Sequence, residues 1–240
     1  MNWLRSLVRL PLDFALPRRC AACGDVLAGE GGFCADCWPR LQHLPLEGCR
    51  YCCTPMSIAG GACASCLLER PAHDGVLAAV RYGDVARDLV LRLKYGRKPG
   101  CAKVMARLLV QRARLFPGAV LVPVPLHRWR LWWRGFNQSQ MIAAEIARET
   151  RQLLWHDLLY RRKRTRALGG LSRRARAREV RAVFALKNGA SSRIKGRDIL
   201  LVDDVYTTGA TANSCAHLLK RAGAAKVTVL CWARVIQDDG

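Results

Sequence analysis

Hydrophobic and polar positions after residue 75 follow two kinds of pattern that alternate along the chain. Almost wholly apolar runs of strand length occur at residues 76–82, 120–124, 198–202 and 226–235. Apolar residues at helical spacing occur at residues 85–93, 101–116, 139–150 and 212–223. The runs predict strands buried on both faces of a sheet, and the helical spacing predicts helices with one buried face. Strands that alternate with helices predict an α/β fold with a mostly parallel sheet flanked by helices.

The earlier part of the chain is organised by cysteines instead. Of the 12 cysteines, nine lie between positions 20 and 66. Eight of these form two units of identical spacing, Cys20, Cys23, Cys34 and Cys37, then Cys49, Cys52, Cys63 and Cys66. Each Cys-x-x-Cys can place two thiolates on one turn, and two such turns can hold a tetrahedral zinc ion. We predict two zinc ribbons with one ion each; an interleaved pairing of the four turns and a disulfide framework are the alternatives.

These patterns divide the chain into a lead-in at 1–17, a zinc module at 18–71 and an α/β domain at 72–240. All-thiolate zinc sites have no open position for water, so we expect the ions to be structural. They would stabilise a segment too short to bury a sufficient core. No apolar run approaches the ~20 residues that span a bilayer, and the lead-in lacks the features of a signal peptide. We therefore expect no membrane span and a cytoplasmic protein with reduced cysteines.

The apolar run at 198–202 is followed by a segment with candidate chemistry. Asp203 and Asp204 come first, and a loop of small and hydroxyl residues from Thr207 to Thr211 leads into the next helix. Open α/β sheets bind ligands at the carboxyl ends of their strands. Gly209 lets the backbone approach an anion closely, and the N-terminus of a helix favours phosphate. The segment therefore predicts a phosphate site beside two carboxylates.

Residues 202–211 resemble the phosphoribosyl-pyrophosphate (PRPP) motif of type I phosphoribosyltransferases. The resemblance implies a fold of that type and a site for PRPP together with Mg²⁺. It implies that Asp203 and Asp204 bind the ribose hydroxyls and that the loop binds the 5′-phosphate. The loop residues so assigned are Thr207, Thr208, Gly209, Ala210 and Thr211.

A second anion site is predicted at residues 127–139, which follow another buried strand and open a helix. By the same resemblance this loop binds pyrophosphate, through Arg134, Gly135, Phe136, Asn137 and Gln138. Three tryptophans precede these residues, at positions 129, 132 and 133. Two interpretations of the tryptophans stay open, packing against the body of the domain and exposure to solvent.

The formal net charge is +22 and is unevenly distributed. Residues 1–70 contain seven basic and six acidic residues, whereas the rest of the chain contains 33 and 12. Such a surplus indicates polyanionic partners. Residues 161–181 alone contain ten basic residues and one acid, and they occupy the place of the flexible loop that closes over the site in phosphoribosyltransferases. The candidate loop residues are Arg162, Arg164, Arg166, Arg173 and Arg176; a solvated charged helix is the alternative.

The whole order of motifs resembles the ComF family, which is associated with DNA uptake in natural transformation. The order runs from the paired cysteine units through residues 93–95, 122–125, 134–139 and 170–172 to the PRPP motif. The resemblance implies a PRPP-binding protein that acts with single-stranded DNA. A helicase-like or recombination protein is the expected partner of the zinc module. The alternative is an active phosphoribosyltransferase of nucleotide metabolism with no nucleic-acid role, and the sequence indicates no acceptor base.

Overall fold

A computed structural model describes residues 18–27, 32–57, 60–96, 98–162 and 183–236. The strands in these ranges are β1 (Gly75–Arg81), β2 (Val120–Pro123), β3 (Leu159–Arg161), β4 (Phe184–Leu186), β5 (Asp198–Tyr206) and β6 (Lys226–Arg234). Four of them form a parallel sheet in the order β1-β6-β5-β2, and β3 and β4 form an antiparallel pair. Leu154 extends the sheet beyond β2 through a parallel bridge to Leu121. The predicted α/β class with a mostly parallel sheet is confirmed.

Helices connect the strands. Those in the described ranges are α1 (Ala64–Leu68), α2 (Asp84–Lys94), α3 (Gly100–Ala113), α4 (Arg128–Arg134), α5 (Gln138–Thr150), α6 (Ala190–Ile194) and α7 (Ala210–Arg221). The four long helices match the predicted ones to within a few residues at each end. The short helix α4 was not predicted, because its arginines and tryptophans show no buried face. Among the described residues, no helix combines the length and the apolar character needed to cross a bilayer.

Two hydrophobic layers cover the sheet, one on each face. Helices α2, α3 and α5 pack on one face, where Trp232 is fully buried and donates from Nε1 to the carbonyl of Ala86 at 3.2 Å. Helix α7 packs on the other face, where Cys215 and Cys231 are fully buried. Burial on both faces explains why the strands are almost continuously apolar in sequence.

The zinc module covers the β1 edge of the sheet. Residues 42–44 run antiparallel to β1: Leu44 N–H donates to the Ala79 carbonyl at 3.1 Å, and Arg81 N–H donates to Gln42 at 2.8 Å. The first cysteine unit packs into the layer with α2 and α3, and the second packs into the layer with α7. The module therefore protects an otherwise unpaired strand edge and contacts both layers of the domain.

Strand β5 continues past the point where the sequence predicts its end. The apolar run stops at Val202, yet pairing with β6 extends to Tyr206, which lies opposite Arg234. On its other side, β5 loses its partner early, because β2 ends at Pro123 opposite Val202. Asp203 and Asp204 therefore lie within β5 rather than beyond it, at the position where one side of the sheet opens.

Candidate functional site

Two helices converge on the acidic pair of β5. Ser139, in the first turn of α5, donates its hydroxyl to Asp203 Oδ1 at 3.0 Å, and the same oxygen accepts from the backbone N–H of Asp204 at 2.9 Å. Lys94, the last residue of α2, places Nζ 2.5 Å from Asp204 Oδ2. Lys94 and Ser139 were not predicted as site residues. The sequence signal for Lys94 was its place in the 93–95 segment, which the ComF resemblance includes.

The carboxyl group of Asp203 has a shifted pKa. Burial and the charge of Asp204 raise the pKa of Asp203 to about 7, against the opposing effects of Ser139 and Lys94. Near neutral pH, the Asp203 carboxyl is therefore protonated in a substantial fraction of the molecules. A hydroxyl donor or a cation that binds the pair would favour the ionised form.

The hydroxyl-rich loop follows β5 and leads directly into α7. Helix α7 begins at Ala210, two residues earlier than predicted, so the last loop residues form its first turn. Thr207, Thr208 and Thr211 are exposed, and Gly209 occupies the N-cap position with φ +77°. Free N–H groups and threonine hydroxyls together make a cradle that suits a phosphate group.

Gly209 is required for packing as well as for its backbone conformation. A Cβ atom at this position would clash with the hydroxyl of Tyr206, which lies beneath the loop. Tyr206 is buried, and its hydroxyl is 3.0 Å from Nε2 of His73, in the segment that precedes β1. The loop is thus supported from below by side chains that sequence reasoning did not single out.

Arg234 ties the same loop to the zinc module. Its Nη1 donates to the carbonyl of Thr207 at 2.7 Å, and its Nε donates to the carbonyl of Cys52 at 3.2 Å. Its guanidinium carbon also lies 4.9 Å from the ring centroid of Tyr206. One planar side chain therefore links a predicted zinc ligand to a predicted phosphate loop.

The second predicted loop lies beside the acidic pair. Arg134 is buried and donates from Nη1 to Gln138 Oε1 at 2.8 Å. Burial lowers the pKa of the Arg134 guanidinium, while Tyr95 and Asp204 act in the opposite direction. The charge of Asp204 therefore acts on this arginine and links the second predicted loop to the acidic pair.

Several members of this loop already have partners within the protein. Asn137 caps α5 by accepting from Ser139 N–H at 3.1 Å and donates to the Val124 carbonyl at 3.0 Å. Gly135 ends α4 with φ +83°, and Phe136 packs against the core. The five predicted residues lie together, but the side chains of Asn137 and Gln138 hold the loop. The other N–H groups of the Arg134 guanidinium and the N–H groups of the loop backbone are left to bind an anion.

The three tryptophans lie on α4 and are exposed to solvent, so the second of the two interpretations is correct. Trp129, Trp132 and Trp133 are exposed by 53%, 76% and 59%. The rings of Trp129 and Trp132 stack with centroids 5.4 Å apart, and Trp133 meets Tyr95 edge-on at 6.4 Å. These aromatic rings form a solvent-facing surface next to the second loop.

Each cysteine unit closes into its own tetrad. Within each unit the four sulfur atoms lie within 4.8 Å of one another, and all the cysteines are unpaired thiols. The units repeat in detail: the N–H groups of Cys34 and Cys63 point at the sulfurs of Cys20 and Cys49, at 3.4 and 3.3 Å. Consecutive pairing, rather than interleaving, is therefore observed. Four thiolates with N–H···S contacts suit a closed, structural zinc site.

Cys53 takes a special backbone position in the second unit. It follows Cys52 and has φ +53°, as Gly24 follows Cys23 with φ +95° in the first unit. Burial raises the pKa of the Cys53 thiol to about 12. Cys53 therefore stays protonated and packs in the core, outside the tetrad.

The basic segment is described only at its start. Arg162 is exposed, and its backbone N–H donates to the carbonyl of Val183 at 2.7 Å, which continues the β3–β4 pairing by one step. The other four candidate arginines, at positions 164, 166, 173 and 176, lie outside the described residues.

Comparison with known proteins agrees with this architecture. Residues 11–67 match the double zinc ribbon domain, and residues 140–239 match the phosphoribosyl transferase domain. DNA utilization protein YhgH of Escherichia coli is 32% identical over 229 residues, which cover 92% of this chain and 99% of that protein. Competence protein F of Haemophilus influenzae is 28% identical over 225 residues, which cover 90% and 96%. The chain belongs to the ComF family.

Another relative and a solved structure complete the comparison of this ComF-family protein. Competence protein ComFC of Streptococcus pneumoniae is 29% identical over 204 residues, which cover 84% of this chain and 87% of that protein. A hypoxanthine phosphoribosyltransferase of Staphylococcus aureus aligns over 54% of this chain and 61% of that one, with 18% identity and a TM-score of 0.37. The family assignment rests on the sequence relatives and the two domain matches.

Proposed function

We propose that this ComF-family protein binds PRPP with Mg²⁺ and acts on single-stranded DNA during natural transformation, in the cytoplasm. The observation that carries the proposal is the convergence of the acidic pair, the threonine loop and Arg134 where the sheet opens. The competence and DNA-utilization names of the relatives support the cellular role. Unpaired cysteines, which zinc binding requires, fit a reducing compartment.

Different residues of the site would bind different parts of PRPP. Asp203 and Asp204 accept hydrogen bonds from the ribose hydroxyls, and residues 207–211 hold the 5′-phosphate. Lys94 leaves its ion pair with Asp204 and faces the diphosphate, as does Arg134. Bound Mg²⁺ would neutralise the diphosphate, and oxygen ligands of the kind that this site offers suit it.

Single-stranded DNA would meet the surface of α4. Bases stack on the exposed tryptophans, and phosphates bind the arginines of the same helix, Arg128 and Arg130. Both arginines are exposed. A strand bound there would lie beside the proposed PRPP site, so that one ligand could influence the other.

The zinc module would contact a protein partner, a helicase-like or recombination protein. Leu67 and Leu68 of α1 are exposed by 74% and 89% and supply an apolar contact on the second zinc unit. Large exposed apolar side chains that adjoin one another are typical of interaction sites.

Calorimetric titration of the zinc-loaded protein with PRPP and Mg²⁺ tests the ligand site. We expect saturable binding by the wild type and a loss of more than about 100-fold in the Asp203→Asn/Asp204→Asn variant, since charged hydrogen bonds are lost. Asp84→Asn/Asp88→Asn removes one exposed and one half-exposed carboxylate of α2 and is the matched control. Equal affinities of the two double variants would sink the assignment.

Fluorescence anisotropy with a labelled oligo(dT) tests the DNA role. Trp129→Ala/Trp132→Ala should weaken binding by about tenfold or more, because each stacked base contributes ~1–3 kcal/mol. Leu115→Ala, which truncates an exposed side chain elsewhere, should not. PRPP binding without any DNA binding would favour a phosphoribosyltransferase of nucleotide metabolism instead.

A further inference from the structure

A cavity of about 390 Å³ lies where the second zinc unit meets the α/β domain. Its polar lining comes from Arg50, Tyr51, Arg70, His73, Asp74 and Lys220. The volume is in the range of small-ligand pockets, about 300–1,000 Å³. Lys220 lies in the last turn of α7, at the opposite end of that helix from the threonine loop, whereas His73 reaches Tyr206 beneath the loop.

Tyr51 positions two of the cations. Its ring centroid lies 4.9 Å from the guanidinium carbon of Arg50 and 5.3 Å from that of Arg70. Arg50 also donates from Nη2 to the Tyr51 hydroxyl at 2.8 Å, and Tyr51 itself is buried. Within the described part of the chain, neither arginine forms an ion pair with a carboxylate. Each guanidinium has five N–H donors in a planar fork, so donors remain for a ligand.

The charges around the cavity do not balance. Among the described residues of the lining, Asp74 is the one carboxylate, and Lys220 Nζ lies 2.7 Å from its Oδ2. That same oxygen also accepts from the backbone N–H of Val227 at 2.6 Å. With Asp74 and Lys220 paired, Arg50 and Arg70 leave two uncompensated positive charges at the cavity.

His73 adds a polar group without adding charge. It is 2% exposed, and burial lowers the pKa of its imidazole to about 4, so the ring is neutral at pH 7. Nε2 lies 3.0 Å from the Tyr206 hydroxyl, and the ring also interacts with the backbone of Gly75. The lining therefore combines a neutral imidazole with two guanidinium groups that form no ion pair with a described carboxylate.

We propose that this cavity binds the phosphate group of a nucleotide, either free or as a unit of a single strand. A planar guanidinium can donate to two phosphate oxygens at once. Arg50 and Arg70 both contact the ring of Tyr51, so the two guanidinium groups are held near each other. A strand that crosses the domain could thus bind both α4 and the zinc-module junction. The free-nucleotide form of the proposal is independent of PRPP binding, and the strand form rests on the proposed DNA role.

Titration with dTMP tests the cavity directly. We expect the Arg50→Ala/Arg70→Ala variant to bind about tenfold more weakly than the wild type, because two charge-assisted contacts are lost. The control is Arg40→Ala/Arg114→Ala, which removes two exposed arginines that do not belong to the lining and changes the net charge equally. Any dTMP held by the threonine loop contributes equally to all three proteins, so the difference reports the cavity.

Oligo(dT) binding at several salt concentrations distinguishes the two sources of phosphate. Affinity for a strand decreases as salt rises, and each phosphate contact adds about 0.7 to the steepness of the plot of log affinity against log salt. If the cavity holds a strand, this plot should be less steep by about 1.4 for Arg50→Ala/Arg70→Ala than for the wild type. Weakened dTMP binding supports a free nucleotide, and a reduced slope alone supports a strand. Equality with the control variant for both ligands would overturn the proposal.

Two further measurements distinguish a loss of phosphate binding at the cavity from a folding defect and from a failure of the PRPP site. Zinc content must stay at the wild-type value in Arg50→Ala/Arg70→Ala, because Arg50 adjoins a tetrad. If that variant does not fold, Arg70→Ala alone, outside the tetrad, should still weaken dTMP or oligo(dT) binding more than Arg114→Ala does. PRPP affinity should be unchanged in the cavity variants, whatever the wild-type value is.

Discussion

Asp203 makes the stability of the folded protein depend on pH. Its pKa is about 7 in the folded state and about 4 in an unfolded chain, so the folded state holds an extra proton between these values. The contribution of Asp203 to stability therefore decreases as pH rises through this window and is constant above it. We expect the urea midpoint of the wild type to fall from pH 5 to pH 7 relative to that of Asp203→Asn.

The comparison between the two proteins isolates this carboxyl. Acid also weakens zinc binding, but it does so in both proteins, so the difference between their midpoints removes that effect. A difference that stays constant from pH 5 to pH 7 would contradict the raised pKa.

Gly209 provides a second test at a single position. Gly209→Ala forces a side chain into a left-handed backbone conformation and against Tyr206. We expect a loss of about 1–3 kcal/mol in the free energy of unfolding, together with weaker PRPP binding. Gly118→Ala is the control, because its φ is ordinary and no atom lies within 4 Å of the added Cβ. Chemical denaturation of both variants measures the difference, and equal losses would refute the clash.

Arg234, the last residue of β6, couples two elements that the sequence keeps far apart. Arg234→Ala breaks the contacts to the Thr207 and Cys52 carbonyls, so the loop loses its connection to the zinc module. We expect PRPP affinity to fall about tenfold while zinc content is unchanged. Arg234→Lys should also bind weakly, since an ammonium cannot reproduce the planar fork.

The control for this coupling is Arg148→Ala on α5, which removes an exposed arginine with ion pairs to two glutamates. It should leave PRPP affinity unaltered. Wild-type affinity in Arg234→Ala would show that the loop holds its shape without the zinc module.

Secondary structure was predictable where elements are long and periodic. The buried strands and the amphipathic helices α2, α3, α5 and α7 have many residues that agree on one pattern. Helix α4 and the β3–β4 pair are short, and α4 has no buried face, so no pattern marked them. The end of β5 was misplaced because Asp203 and Asp204 interrupt its apolar run, and pairing with β6 extends the strand beyond them to Tyr206.

The two zinc units contact opposite layers of the molecule, which predicts different effects of the same mutation in each. Cys23→Ser and Cys52→Ser change equivalent positions of the repeat, and each should lower the zinc content by one ion. Only Cys52→Ser should also lower PRPP affinity, by about tenfold, since the second unit supports the loop through Arg234.

Metal analysis and PRPP titration of the two variants provide the measurement. The first unit packs against α2 and α3, so its loss should reduce thermal stability more than ligand affinity. Equal losses of PRPP affinity would show that the module acts as one body and not through Arg234.

The sequence by itself determined the α/β class, the cysteine units and the position of the acidic pair and its loop. Each of these depends on residue types and spacings within a few tens of residues. The tertiary structure alone decided how the Cys-x-x-Cys turns combine into tetrads, which tryptophans are exposed and which residues complete the site. Ser139 and Asp203 are 64 positions apart, and Arg234 and Cys52 are 182 apart. Contacts of such separation exist only once the sheet and its layers have assembled, and no local pattern encodes them.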